Sequence, residues 1–178
     1  MPLTAKGLTL DFASAEDLVE IRDTITDEDS KRMTCRPIVS RSPDEAVEFC
    51  KQQIADESRI IFCIRNSTCE LAGRLSLSDY NPRNASIELG YYIIPEHRGK
   101  GYMRKSLENV FIVLFREAQI NKIYAQTGSF NNESNRLLQS LGFRRDAILR
   151  EHHEIDGVLL DDYIYSIVSS EYNRLNHE

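Results

Sequence analysis

The chain has 178 residues, 41% hydrophobic and 28% charged, the balance of a globular protein able to bury its own core as one domain over residues 1–178. Its net charge of −6 argues against a nucleic-acid partner, and no apolar run approaches the ~18 residues of a membrane-spanning helix. The opening Met1-Pro2-Leu3-Thr4-Ala5-Lys6 has no apolar export core, so the expected location is cytoplasmic, with no membrane partner.

Residues 3–12 read as a first strand, and Ser14 then caps a helix expected to run to about Thr26. Ser42, with Pro43 at the first helical position and Glu45 closing a capping box, starts a helix to roughly Ala55. Residues 60–64 and 71–77 are apolar strands joined by the polar turn Asn66-Ser67-Thr68. The turn Asn81-Pro82-Arg83-Asn84 leads into a strand over 85–94. An amphipathic helix over 105–120, a short strand over 122–127 and a helix over 132–140 ended by Gly142 follow. Strands over 143–153 and 158–168 are linked through Asp156-Gly157, a hairpin signal. This order predicts an α/β (α+β) fold. Its sheet is mixed and largely antiparallel, of about seven strands, with helices on both faces and one parallel crossover.

The four cysteines, Cys35, Cys50, Cys63 and Cys69, include no C-x-x-C pair and are expected to be buried or half-buried small apolar residues. Residues 151–162 hold five acids and no Lys or Arg, and Asp27-Glu28-Asp29 form a second acidic cluster. Such runs are either solvated surface or a face for a cationic partner. His152, His153, Glu154 and Asp156 do not predict a metal site, because neighbours along a strand point to opposite faces.

The richest feature is Arg98-Gly99-Lys100-Gly101-Tyr102-Met103, set between the strand ending in Ile93-Ile94-Pro95 and the amphipathic helix. A helix start leaves several N–H groups without partners and carries partial positive charge. Gly99 and Gly101 let the backbone turn and a diphosphate approach it closely. Arg98, Lys100, Arg104 and Lys105 place four positive charges within eight residues, with no negative one. This is read as a phosphate cradle. The P-loop and the G-x-G-x-x-G pattern are both absent, since no Lys-Ser or Lys-Thr follows and position 104 is arginine.

The pattern that fits, R-x-x-G-x-(small), resembles the diphosphate loop of the GNAT N-acetyltransferases, which hold coenzyme A. Arg98 and Gly101 match it. Met103 stands where the family has Gly or Ala, and its longer side chain is expected to crowd the turn. The stretch from Glu88-Leu89-Gly90-Tyr91-Tyr92 through Gly101 is similar to the family's strand and loop. Asn131-Asn132-Glu133-Ser134 resembles its N-x-x-S, and Leu137-Leu138-Gln139-Ser140-Leu141-Gly142-Phe143 its L-L-x-x-L-G-F. Arg150-Glu151, Asp156-Gly157 and Asp162-Tyr163-Ile164-Tyr165-Ser166 resemble the terminal hairpin of the RimJ/RimL branch, the ribosomal-protein N-terminal acetyltransferases. The likeness is close over about half the chain.

The resemblance implies a GNAT fold and an acetyl-CoA-dependent transferase. The diphosphate would sit on Arg98, Gly99, Lys100, Gly101, Tyr102, Met103 and Arg104. The pantetheine arm would pair with backbone groups of Tyr92, Ile93 and Ile94, and Asn131 would contact it. An N–H of that strand would stabilise the oxyanion of the tetrahedral intermediate. Ser134 would protonate the leaving thiolate, and Glu88, on the bulging strand beside the thioester, is the candidate for a water-relayed base. Glu151 on the hairpin is a weaker candidate. Asn131 is equally read as a plain helix cap, Ser134 as a helical serine and Glu88 as a strand glutamate.

Transfer needs a neutral amine. A terminal α-amine is roughly 10–20% neutral at pH 7 and a lysine on the order of 0.04%, a difference of ~3 kcal/mol. With no strong dedicated base in evidence, a peptide or protein N-terminus is the expected acceptor. Many enzymes of this fold, those for polyamines among them, carry a tyrosine acid seven residues after the motif asparagine. Here that position is Leu138, which counts against spermidine. A polyamine or aminoglycoside acceptor, a non-catalytic acyl-CoA sensor and a homodimer all stay open.

Overall fold

The computed structural model describes residues 3–5, 7–33, 39 and 41–175. The expected first strand is broken. Gly7, at φ +81°, turns the chain, leaving β1 (Leu3–Ala5) and β2 (Leu8–Phe12) as an antiparallel hairpin. Ser14 caps α1 (Ala15–Asp23) in a closed capping box with Asp17. That helix stops short of Thr26, because Thr26 caps a further helix, α2 (Asp27–Arg32), opened by the acidic cluster Asp27-Glu28-Asp29. Acids in a first turn favour the helix dipole, so the cluster is a helix start and not a loose charged loop. The capping box of Ser42 and Glu45 starts α3 (Pro43–Ala55) as expected.

Strands β3 (Ile60–Arg65), β4 (Leu71–Asn81) and β5 (Ser86–Ile93) form a meander. Helix α4 (Tyr102–Ile112) begins directly after the glycine loop and gives way to a π-helical turn, Val113–Glu117, in place of one uniform helix. Then come β6 (Lys122–Gly128), α5 (Asn132–Ser140), β7 (Arg144–Ile155) and β8 (Val158–Val168). A last helix not expected from the sequence, α6 (Ser169–Leu175), closes the described chain.

One eight-stranded sheet results, in the order β1-β2-β3-β4-β5-β6-β8-β7. Every pairing is antiparallel except β5 with β6. The sheet is mixed and largely antiparallel as expected, with eight strands because the first one splits. Period-two alternation sends side chains into two cores, one on each face. Leu75, Leu89, Leu107, Phe111, Ile123 and Leu138 fill one, while Leu18, Ile21, Ile61, Cys63, Tyr92 and Ile94 fill the other. Each such buried aliphatic or aromatic side chain contributes ~1.5–3 kcal/mol, so helices on both faces are held by burial. Cys50 and Cys63 are buried as expected. Cys69 is exposed, in a turn at φ +63°, and Cys35 lies outside the described residues. No helix among the described residues is long and apolar enough to cross a membrane.

The pairing of β5 with β6 is brief: Ser86, Ile87 and Glu88 face Lys122, Ile123 and Tyr124, and nothing beyond is paired. Both strands run on, to Ile93 and Gly128, so a wedge opens between them. The wedge positions the site.

Candidate active site

Backbone direction on β5 decides which groups reach the wedge. Ile94 N–H donates to Ala72 O at 3.0 Å, and Ile93 lies opposite Gly73. Ladder alternation then turns the N–H groups of Tyr92 and Ile94 toward β4, and those of Tyr91 and Ile93 toward the opening. Of the expected backbone set of Tyr92, Ile93 and Ile94, Ile93 alone presents its N–H to the wedge. Tyr91 was not anticipated.

At the wide end, Gly99 (φ +73°) and Gly101 (φ +74°) occupy left-handed backbone. A Cβ at either would meet nothing within 4 Å, so the space before the loop is open. Gly101 caps α4 without a side chain. Among the described residues, no group engages the N–H of Gly99, Lys100, Gly101, Tyr102, Met103 or Arg104. Six free donors around one turn make an anion cradle.

The cations behave differently from expectation. Arg98 donates to Ile93 O at 3.2 Å and to Asp29 Oδ1 at 2.7 Å, so it braces the loop against α2 instead of facing the cradle. Tyr92 OH donates to the same carboxylate at 3.2 Å. Burial pushes the Asp29 carboxyl up, but its bond to Arg98 and that charge outweigh it and hold the pKa below the usual value. Arg104 is tied to Glu108 at 2.9 Å and to Ser140 Oγ at 2.7 Å. Lys100 and Lys105 make no ion pair among the described residues and remain for an anion. Met103 is 6% exposed and points into the core, so it does not crowd the turn.

At the narrow end, Asn131 caps α5, its Oδ1 accepting from Ser134 N at 3.1 Å. Ser134 Oγ stands 2.7 Å from Tyr91 OH, and either hydroxyl can donate. Burial pushes the Tyr91 phenol up to about 12, only partly opposed by the bond to Ser134. Leu138 is fully buried in the core. The signal for Tyr91 was present in the sequence: strand alternation puts it on the same side as Ile93. Its partner on α5 was not visible there.

Glu88 belongs to the opposite face of β5, in register with Ser78 and Tyr124, with Ser78 Oγ 3.5 Å from its carboxylate. Structure therefore separates Glu88 from Ser134 by the thickness of the sheet. The irregularity lies on β4, at Asp79 (φ +53°), and not on the strand of Glu88. Tyr124 donates to Asp79, and its pKa is raised by burial and then by that carboxylate. Glu151 is exposed on a bulge of β7 at φ +52°, with no side-chain bond to Ser134 or Glu88.

Most of the acidic hairpin is spent internally. Asp156 pairs with Lys31, Asp161 accepts from Glu151 N and Glu154 from Gly157 N. Asp162 is fully buried, accepts from Gln126 at 2.7 Å and lies 3.2 Å from His153 Nδ1 without hydrogen-bond alignment. His153 Nε2 lies 2.6 Å from Lys31 O, and so the hairpin also grips α2.

Known proteins resemble the chain as a whole. Residues 8–144 match the model of the acetyltransferase (GNAT) domain. The SPbeta prophage-derived uncharacterized N-acetyltransferase YokL of Bacillus subtilis (strain 168) is 30% identical over 177 residues, 98% of this chain and 96% of its own. Spermidine N(1)-acetyltransferase of Vibrio cholerae is 28% identical over 129 residues, 72% of this chain and 75% of its own. The crystal structure of spermidine N-acetyltransferase from Vibrio cholerae in complex with CoA and spermine matches with a TM-score of 0.83 at 26% identity, covering 94% of this chain and 98% of that one.

Proposed function

The chain belongs to the GNAT acetyltransferase family and is an N-acetyltransferase taking its acyl group from acetyl-CoA, and from that premise we propose that its acceptor is the α-amine of a peptide or protein N-terminus, as in the RimJ/RimL branch. The observation that carries this reading is the Tyr91–Ser134 hydroxyl pair at 2.7 Å, with Leu138 buried where polyamine enzymes of this fold have their tyrosine acid.

In this reading the diphosphate of acetyl-CoA takes the free N–H groups of residues 99–104, with Lys100 and Lys105 adding charge. The pantetheine arm runs along the wedge beside Tyr91 and Ile93, toward Asn131. The Ile93 N–H polarises the thioester carbonyl. A neutral amine attacks that carbon, forming the C–N bond and an oxyanion, and collapse then breaks the C–S bond. The leaving thiolate takes a proton from Ser134, Tyr91, which stays protonated through neutral pH, replaces it, and the phenolate left behind takes a proton from water. The attacking nitrogen, cationic in the tetrahedral intermediate, gives its excess proton to water on the other face of β5, the face of Glu88, which balances the proton that Tyr91 regains. A relay of two hydroxyls with one half-buried carboxylate suits an amine already ~10–20% neutral.

A second reading, a polyamine or another small cationic amine such as an aminoglycoside, is favoured by the likeness to the Vibrio cholerae spermidine enzyme and by two carboxylates beside Tyr124, Asp79 bonded to its hydroxyl and Glu88 opposite it in register. Mass spectrometry of products from a mixed panel of basic N-terminal peptides, spermidine and aminoglycosides decides between them. We expect acetylated peptide α-amines. Acetylation confined to spermidine or aminoglycosides would overturn the proposal.

A further inference from the structure

Between α1 and α3, on the sheet face opposite Tyr91 and Ser134, lies a cavity of about 340 Å³. Its walls are largely apolar, with Leu18 and Ile21 from α1 and Phe49 from α3. Its charged lining is of one kind among the described residues: Arg22, Arg41 and Arg74, with no carboxylate.

Arg74 is the unusual member. It is half-buried on β4, opposite Tyr92, and makes no hydrogen bond or ion pair with any described residue. Burial holds its guanidinium below the usual arginine value, and no acidic side chain offsets that effect. Arg41 stacks over the Phe49 ring at 3.9 Å and donates to Val39 O at 3.4 Å, again without a carboxylate partner. Arg22 is bonded to Asp23, which lies outside the lining. Burial pushes the Cys50 thiol up, the three arginines oppose it and Asp23 adds to it, so the arginines and the carboxylate bonded to Arg22 all lie near this wall of the cavity. Withdrawing a guanidinium from water without a counter-charge is unfavourable, and a bound anion would relieve it.

We propose that this cavity binds a small carboxylate carrying a compact apolar group, a ligand separate from acetyl-CoA and from the amine acceptor. The two oxygens of a carboxylate match the planar fork of Arg74, with Arg41 as a second donor. The apolar part packs on Leu18, Ile21 and Phe49. The volume is that of a site for a small organic molecule. Arg74 and Arg41, both without a carboxylate partner among the described residues, repel a polyamine, so this is not a second acceptor pocket. The diphosphate cradle, with its own donors at residues 99–104, is a different anion site.

Calorimetric titration of the full chain with phenylacetate, phenylacetamide, phenethylammonium and inorganic phosphate tests it, each with and without saturating acetyl-CoA. Phenylacetate is expected to bind on the order of ten-fold or more tightly than its amide, the value of a charge-assisted hydrogen bond. Phenethylammonium should not bind, and acetyl-CoA should leave the phenylacetate affinity unchanged. Arg74→Met should remove the preference for acid over amide. Arg41→Ala, at an exposed position, should weaken phenylacetate even if Arg74→Met fails to fold. Equal binding of acid and amide, phosphate binding as tight as phenylacetate, no binding in the millimolar range, or displacement by acetyl-CoA or by an acceptor peptide would each overturn the proposal.

Discussion

The phenol of Tyr91 and the hydroxyl of Ser134 stand 2.7 Å apart, joining β5 to the first turn of α5 across the wedge where β5 and β6 cease to pair. Tyr91→Phe leaves the ring packing and removes only the relay proton. It should lower kcat roughly 10- to 100-fold with the KM for acetyl-CoA nearly unchanged. Ser134→Ala should cost at least as much, and the double variant no more than Ser134→Ala alone, because the two act as one unit. Steady-state thiol release checks this, and additive losses would argue that the hydroxyls act independently.

Gly101 holds φ +74° in front of open space, where the proposed function puts the diphosphate. Gly101→Glu adds bulk and negative charge there and strains left-handed backbone. Calorimetry should find no acetyl-CoA binding tighter than ~1 mM, while circular dichroism still reports a folded chain. Retained micromolar binding would rule out this loop as the cradle.

Arg98 and Asp29 are 69 residues apart in sequence and 2.7 Å apart in space, locking α2 to the loop. Arg98→Ala and Asp29→Ala should each raise the KM for acetyl-CoA roughly ten-fold, and the double variant should match either single one. Additivity would mean that Arg98 contacts the diphosphate itself. The same pair has an acid signature. Burial pushes Asp29 up but Arg98 wins, so the folded pKa is lowered. Its stabilisation is present above the ordinary carboxylate pKa near ~4 and is lost as pH falls through the lowered value. Asp29→Asn should therefore flatten the fall in Tm below about pH 4.

Alkaline stability reads out Tyr91. Burial raises its folded pKa from 10.0 to about 12, so its contribution is complete below pH 10 and is lost as pH rises toward 12. The gap between those values is worth ~3 kcal/mol. Chemical denaturation at a series of pH values should show wild type losing stability across that window more steeply than Tyr91→Phe. Parallel curves would contradict a buried, neutral phenol.

The sequence by itself determined what short-range interactions encode. The cap at Ser14, the capping box at Ser42, the Asn131 cap and the Asp156-Gly157 turn each close within a few residues, and each was legible. So was the strand–glycine–helix turn, since the free N–H groups of a helix start need no distant partner. The π-helical turn and α6 left no periodic signal distinct from an ordinary helix or strand end. Only the tertiary structure decided which side chains meet. Arg98 went to Asp29 and not to the cradle, and Tyr91 met Ser134 from 43 residues away. Which N–H of β5 faces the wedge follows from its register with β4. The convergence of Arg22, Arg41 and Arg74 on one cavity needed α1 and α3 packed over the sheet. Local hydrogen bonds and hydrophobic periodicity are written along the chain, whereas partners for charged and hydroxyl groups are chosen by how sheet and helices pack, which no short window contains.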